Sequence, residues 1–439
     1  MGIGKIIGKL LGSSTSVNLQ PKAGPPAPTR TGEATNGGGK HIASSLLLRE
    51  EVIDSRNRLY GYRFSLRQAP ESPAPDPSML YAALLAANIP SFAQRRLAVI
   101  PLDASSCATG DHLALAAPHA LFLLDTANGA LDGERWLRAI HDSGSQAGLR
   151  VNDQTTGNRA LFDTADVAFF DLKDSSLRHI ESLARQLRQG HPHLKLAAEG
   201  VQSWAERRMF AEWGFAYCMG GFLEEKEQVE GRLDGNRLIL IELLNKLRSE
   251  ADLADLASIA KRDPDVAFHM LTLANSPASG LASPVSSLEQ AIVVLGRERL
   301  YRWVAISMFR VGRMRDRDEA LLEIALSRAR FLETVSPSLS RQSRDELFLV
   351  GLLSYFDLLL GVSLAEVLSR IHLAEPVQDV LLRSQGPYGR YLMLILALEK
   401  GHTERAGTLA AALAIPQDDL AACLLSATAW ADEALRQRA

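Results

Sequence analysis

Cysteine is scarce in this chain: Cys107, Cys218 and Cys423 are the three in 439 residues, and they lie far apart. An odd number without close spacing excludes a disulfide scaffold and fits a reducing compartment. No Cys/His cluster has the spacing of a zinc site. No apolar run approaches the roughly 20 residues that span a bilayer. The chain also lacks a surplus of either charge, with 48 Lys plus Arg against 51 Asp plus Glu and a formal net charge of −3. That argues against nucleic-acid binding through bulk positive charge. What is present is an ordinary globular composition, 46% hydrophobic and 23% charged, with length for two or three domains.

The near-neutral total divides unevenly. Residues 1–40 carry Lys5, Lys9, Lys22, Arg30 and Lys40 against Glu33, a net +4, which leaves −7 for the rest. The opening MGIGKIIGKLLG puts Ile3, Ile6, Ile7, Leu10 and Leu11 on one arc of a helix, with Lys5 and Lys9 opposite. Gly4, Gly8 and Gly12 each cost a helix about 1 kcal/mol relative to Ala, so a helix is expected here only against a partner for its apolar face. A membrane surface and a protein groove both qualify, and an unstructured terminus is the alternative. Ser, Thr, Gly and Pro dominate from Ser13 to Lys40, which reads as a linker.

From Ser44 onward, short apolar runs alternate with helical patterns. Strands are predicted near Leu46–Ile53, Leu59–Leu66, Leu97–Leu102, Ala120–Leu124, Leu149–Asn152, Val167–Asp171, Lys195–Ala198 and Phe215–Cys218. Helical patterns lie between most of them, and repeated βα units of this kind imply a (β/α) barrel. The first two strands are joined by too few residues for a crossover helix, so an antiparallel hairpin is expected there. After about Glu227 the pattern is helical throughout, including Arg297–Arg310, Glu319–Thr334 and one long helix over Asp345–Leu360. Asp263-Pro264 reads as a helix start, and Ser287 with Gln290 as a capping box. The expected organisation is a basic tail over 1–43, a barrel over 44–227 and an all-α domain over 228–439.

The helical half resembles the HDOD domain. The resemblance rests on Arg262-Asp263-Pro264-Asp265, Leu271-Thr272-Leu273-Ala274-Asn275-Ser276, Pro284-Val285-Ser286-Ser287-Leu288 and Ala291-Ile292-Val293-Val294-Leu295-Gly296. HDOD domains resemble HD-type metal phosphohydrolases without their ligands. Where those enzymes place His-Asp after a G-L-L run, this chain has Ser354 and Tyr355, followed by Asp357. Hydroxyl and phenol do not replace imidazole and carboxylate at a metal.

The Gly386-Pro387-Tyr388-Gly389 and Ala429-Trp430-Ala431 segments are similar to the C-terminal part of proteins that pair an EAL-type barrel with HDOD. The resemblance implies an EAL-type barrel, the fold of phosphodiesterases that cleave cyclic di-GMP with divalent cations held by carboxylates. At the implied positions this chain has Arg63 for the signature Glu, Pro101 for an Asn, Phe122 or Leu123 for a Glu, Asn152-Asp153 for a paired Asp-Asp, and Phe169 for a Lys. Glu199 in Ala-Glu-Gly-Val is retained, and Asp171 is a third candidate carboxylate.

The expectation is therefore a protein without catalytic, metal or cofactor site. A remnant pocket would be formed by Arg63, Asn152, Asp153, Asp171 and Glu199. Arg63 would either bind a ligand phosphate or pair with Asp153 or Glu199. A run of arginines, at 297, 299, 302, 310, 313, 315 and 317, faces only Glu298 and Asp316 and suits either an acidic partner or a solvated helix face. The resemblance implies bacterial-type signalling through protein partners, with cyclic di-GMP as a further ligand and no nucleic acid. The expected location is the cytoplasm, with contact to the inner membrane surface through residues 1–12.

Overall fold

The computed structural model describes residues 45–68, 77–125, 132–225, 235–276, 279, 283–309, 318–360 and 363–436. The amphipathic opening, the linker, and Arg310, Arg313, Arg315 and Arg317 lie outside these residues.

Two long strands, β1 (Ser45–Asp54) and β2 (Leu59–Gln68), form an antiparallel hairpin. Asp54 organises the turn. Its Oδ1 accepts from the backbone N–H of Arg56 and of Arg58, both at 2.9 Å. Six short strands follow: β3 (Leu97–Leu102), β4 (Ala120–Leu124), β5 (Gln146–Arg150), β6 (Val167–Asp171), β7 (Lys195–Glu199) and β8 (Tyr217–Cys218). β2 through β8 are parallel, and β1 closes the barrel by pairing antiparallel with both β2 and β8. Helices α1 (Pro77–Ala86), α2 (Ile89–Phe92), α3 (Ala104–Thr109), α4 (Gly133–Asp142), α5 (Asp153–Thr156), α6 (Arg159–Thr164), α7 (Leu177–Gly190) and α8 (Trp204–Glu212) lie between the strands.

β1, β2 and β7 run one or two residues beyond the sequence expectation, and β5 and β8 begin elsewhere. β5 starts three residues earlier, at Gln146. Gly148 sits where a Cβ would meet Leu121 Cδ2 at 2.6 Å, so the strand packs through a missing side chain, not an apolar one. β8 is shorter, because Phe215 packs against Phe210 and Phe170 on the helix side. The barrel interior is filled by apolar side chains including Val99, Leu121, Leu123, Val167, Phe169 and Met219. Alternate residues of a strand share a face. The next inward layer toward the strand ends is therefore Arg63, Arg150, Asp171 and Glu199.

The remainder is helical: α9 (Gly235–Arg248), α10 (Leu253–Ala260), α11 (Pro264–Ala274), α12 (Leu288–Leu295), α13 (Arg297–Ser307), α14 (Asp318–Thr334), α15 (Arg341–Leu353), α16 (Phe356–Leu360), α17 (Leu364–Leu368), α18 (Glu375–Arg383), α19 (Gly389–Glu399), α20 (Thr403–Ala412) and α21 (Gln417–Arg436). Asp263 caps α11 by accepting from Asp265 and Val266 N–H, and Ser287 caps α12 by accepting from Gln290 N–H. The Asn275 side chain ties two of the motif segments together. Its Nδ2 donates to the Val285 carbonyl at 2.9 Å, and its Oδ1 accepts from Val285 N–H at 2.7 Å. Gly296 ends α12 at φ +71°, a conformation that favours glycine. The long helix expected over Asp345–Leu360 breaks into α15 and α16. Arg328 of α14 donates to Ser354 Oγ and to Tyr355 OH, each at 2.8 Å, which holds the turn at the break.

Barrel and helices share one apolar core. Polar contacts reinforce the seam. Arg96, just before β3, pairs with Glu323 of α14 at 2.5 Å and with Asp432 of α21, and also donates to the Leu59 carbonyl. Arg49 of β1 donates to Thr428 Oγ1 and, at 3.3 Å, to Ser327 Oγ, while lying over the Tyr62 ring. Arg67 of β2 reaches the carbonyls of Lys400 and Gly401 at the end of α19, where a cation suits the helix dipole.

Two outcomes follow for stability. Arg96→Met withdraws the guanidinium from two buried carboxylates and should cost about 3 kcal/mol, on the scale of a broken buried ion pair. Gly351→Ala places a Cβ at 2.5 Å from the Ala329 Cα and must separate α15 from α14. Its expected cost is roughly 1–3 kcal/mol. Urea unfolding measures both, and an unchanged midpoint in either variant contradicts the corresponding contact.

Candidate functional site

The ends of the parallel strands gather charged side chains at the barrel mouth. Glu199 closes β7 and is almost fully enclosed, with its side chain 3% exposed. Its Oε1 lies 3.1 Å from Arg63 Nη1 and its Oε2 lies 2.8 Å from Arg150 Nη1. Arg150 closes β5 and also approaches Asp125 at 3.3 Å and Asp171 at 3.7 Å. Arg63 also faces Glu50 of β1 at 3.7 Å. Burial pushes the Glu50 carboxyl above its ordinary range; Arg63 opposes that shift and Glu199 adds to it. Two guanidiniums thus hold a set of carboxylates that would otherwise repel one another.

The sequence-predicted residues are brought together in part. Arg63 meets Glu199, one of its two expected partners, and Asp171 joins through Arg150. Asn152 is engaged locally: its Oδ1 accepts from Thr155 N–H at 3.0 Å. Asp153 is the first residue of α5. Arg150 is not among the residues expected at the site, although the expected strand Leu149–Asn152 contains it. The signal that exposes it is the alternation Gly148, Arg150 on the inward face.

A cavity of about 310 Å³ opens beside Arg150, lined among others by Tyr81, Pro101, Leu102, Leu123 and Asp125. The Tyr81 hydroxyl donates to the Pro101 carbonyl at 3.3 Å. The donor set does not fit two divalent cations. The deepest carboxylate already faces two permanent cations, and a metal beside them would meet like charge. Among the described residues no group of three His, Cys, Asp or Glu converges as metal ligands.

The second position where the resemblance implies lost metal chemistry is the break between α15 and α16. Ser354 and Tyr355 are bound there to Arg328, which is 5% exposed and paired with Glu399 of α19 at 2.5 Å. Of the basic run, Arg302 pairs with Glu333 and Asp345, both at 2.9 Å, and stacks 3.9 Å from the Phe348 ring centre. Arg297 donates to the Ala251 carbonyl. Both are structural. Trp303 is buried. Cys218 is buried and Cys107 and Cys423 are half-buried, so the three are not equally internal. Among the described residues no helix is long and apolar enough to cross a membrane.

Arg150→Met should destabilise the protein by about 3 kcal/mol, since it strips one cation from a buried carboxylate. Combining it with Glu199→Gln should recover part of that loss. A double-mutant cycle by urea unfolding measures the coupling, and strictly additive effects contradict the pairing.

The sequence is similar to curated proteins over about half its length. Over 237 residues the chain is 27% identical to the uncharacterized protein YuxH of Bacillus subtilis, covering 53% of this chain and 58% of that one. Over 242 residues it is 24% identical to the cyclic di-GMP phosphodiesterase CdgJ of Vibrio cholerae, covering 54% and 56%. The chain thus spans a little over half the length of these curated relatives. Solved structures of similar shape include EAL domains. One from Listeria monocytogenes has a TM-score of 0.32 at 16% identity, with 43% of this chain and 92% of that one covered. The FimX EAL domain of Pseudomonas aeruginosa bound to c-di-GMP has a TM-score of 0.33 at 16% identity, with 42% and 90% covered. In the helical half, residues 238–371 match the family model of the HDOD domain. An eight-stranded barrel is therefore followed in this chain by a helical region that contains an HDOD domain.

Proposed function

We propose that this chain is a non-catalytic signalling protein whose barrel and helical region act together as a protein-interaction platform in a cyclic di-GMP pathway. The observation that carries the reading is the pairing of Glu199 with Arg63 and Arg150. A hydrolytic site of the implied kind needs metal ions to lower the pKa of an attacking water and to neutralise phosphate. Here guanidiniums occupy that role toward the carboxylate, and a guanidinium does not deliver hydroxide. The pathway is supported by the relatedness to CdgJ, which is named as a cyclic di-GMP phosphodiesterase. The HDOD match supports a platform role for the helical region, where Ser354 and Tyr355 stand in place of metal ligands.

A second reading is favoured by Arg150 lining the 310 Å³ cavity. Arginine matches phosphate geometry, and a phosphodiester could exchange with Glu199 as its partner. In that case the barrel is a receptor that binds cyclic di-GMP without cleaving it.

The test uses the full chain. Incubated with cyclic di-GMP and Mg²⁺ or Mn²⁺, it should yield no linear dinucleotide. Metal-dependent product that disappears in Glu199→Gln overturns the non-catalytic reading. Calorimetry with cyclic di-GMP separates the two readings. Binding heat that is lost in Arg150→Met, with the fold retained, supports the receptor; no heat at high protein concentration removes it.

A further inference from the structure

A second cavity, about 340 Å³, lies on the seam between the barrel and the helices, against an open edge of the sheet. β1 pairs with β2 from Ser45 to Ile53, but on its other side it meets β8 only at Ile53 and Asp54. Among the described residues no strand follows that side from Leu47 to Val52. Alternate residues of an antiparallel strand turn their N–H and C=O away from the partner, so this edge presents unclaimed backbone groups. Glu51 is one of these residues, with its N–H met by its own carboxylate. The edge is unbroken beside the cavity, since β1 has no proline and its register shift lies beyond, at Val52/Ile53. The cavity follows β1 from Leu48 to Glu51, about 13 Å of strand.

We propose that this edge takes an extended, basic segment of a protein partner as an added strand. The inference rests on the platform role proposed above and names the partner's chemistry. In such additions main-chain hydrogen bonds to the open edge supply affinity, and the pockets beside it supply choice. Open edges also pair indiscriminately unless charge guards them. Here the guard is acidic. Glu50, Glu51, Glu224 and Glu399 line the cavity against Arg49 and Lys400. Arg49 is committed to Thr428 and Ser327, and Glu399 to Arg328. Glu50 faces Arg63. Glu51 and Glu224 have no described cation within ion-pair distance.

Side chains of an added strand alternate between two faces. One set meets the helix wall, where Leu321 and Ile324 of α14 offer apolar contact beside Glu399. Lysine or arginine suits this wall, because its stem packs on apolar surface while its charge reaches a carboxylate. An acidic strand would meet the glutamates with like charge. A proline in the strand would remove a donor that the edge needs.

The probe is a fluorescein-labelled peptide of alternating lysine and valine, added to the full chain. Anisotropy should show saturable binding, and residue-resolved amide exchange should slow at Arg49 and Glu51. A peptide with proline at its central valine, or with glutamate for every lysine, should bind at least about tenfold more weakly. Glu224→Lys, a substitution at an exposed position, should weaken the lysine peptide and strengthen the glutamate one. No binding at millimolar peptide overturns the proposal, as does binding that leaves the β1 amides unchanged or that tolerates proline. Full protection of the Arg49 and Glu51 amides without peptide also overturns it. Protection that depends on protein concentration assigns the edge to a second copy, and protection lost on deletion of residues 1–12 assigns it to this chain's own tail. Hydrolysis of cyclic di-GMP would remove the non-catalytic reading and leave the edge untouched, whereas an inactive chain that refuses the peptide removes the edge alone.

Discussion

A carboxylate removed from water must face a cation or give up its charge, and this constraint sets the design of the molecule at three depths. At the barrel mouth Glu199 meets Arg63 and Arg150. At the seam Glu323 and Asp432 meet Arg96. Inside the helical region Glu399 meets Arg328. In each case the cation is a guanidinium, whose fork can serve several acceptors at once. Arg96 and Arg328 each bind groups from elements distant in sequence, so they fix the relative placement of helices as well as their charges.

Much of the fold could be read from pattern. β3 and β4 are uninterrupted apolar runs and β6 is one up to its final Asp171, and the bounds of all three coincide with the sequence reading. The hairpin followed from loop length alone. The HDOD segments carried their own caps, and Asp263, Ser287 and Gly296 perform the roles their residue types suggest. What escaped was structure built from missing side chains or long-range pairing. β5 contains Gln146, Ala147 and Gly148, which do not look like a buried strand until Leu121 and Phe169 are seen to fill the space over the glycine. The break after Leu353 depends on an arginine from another helix. Arg96 finds Glu323 and Asp432 across 227 and 336 residues, and no local pattern announces a contact at that separation.

The candidate site divides in the same way. Arg63 and Glu199 were singled out because each departs from or preserves a family position, and the fold brings them within 3.1 Å. Arg150 occupies no such position, and only the pleat of β5 aims it at the same carboxylate. The resemblance points to positions worth inspecting, and the structure adds Arg150, which faces the same carboxylate at 2.8 Å.

The first hairpin has a further consequence. β1 and β2 are ten residues each, while β4 to β7 have five. Their surplus length projects past the barrel, where Leu46 packs into the helical core and Leu48 touches Gly401. Because β1 runs antiparallel to the other strands, its first residues lie at the mouth end and against the helices. The start of β1 therefore lies at the junction of the two halves, within reach of both, and not on the far side of the barrel.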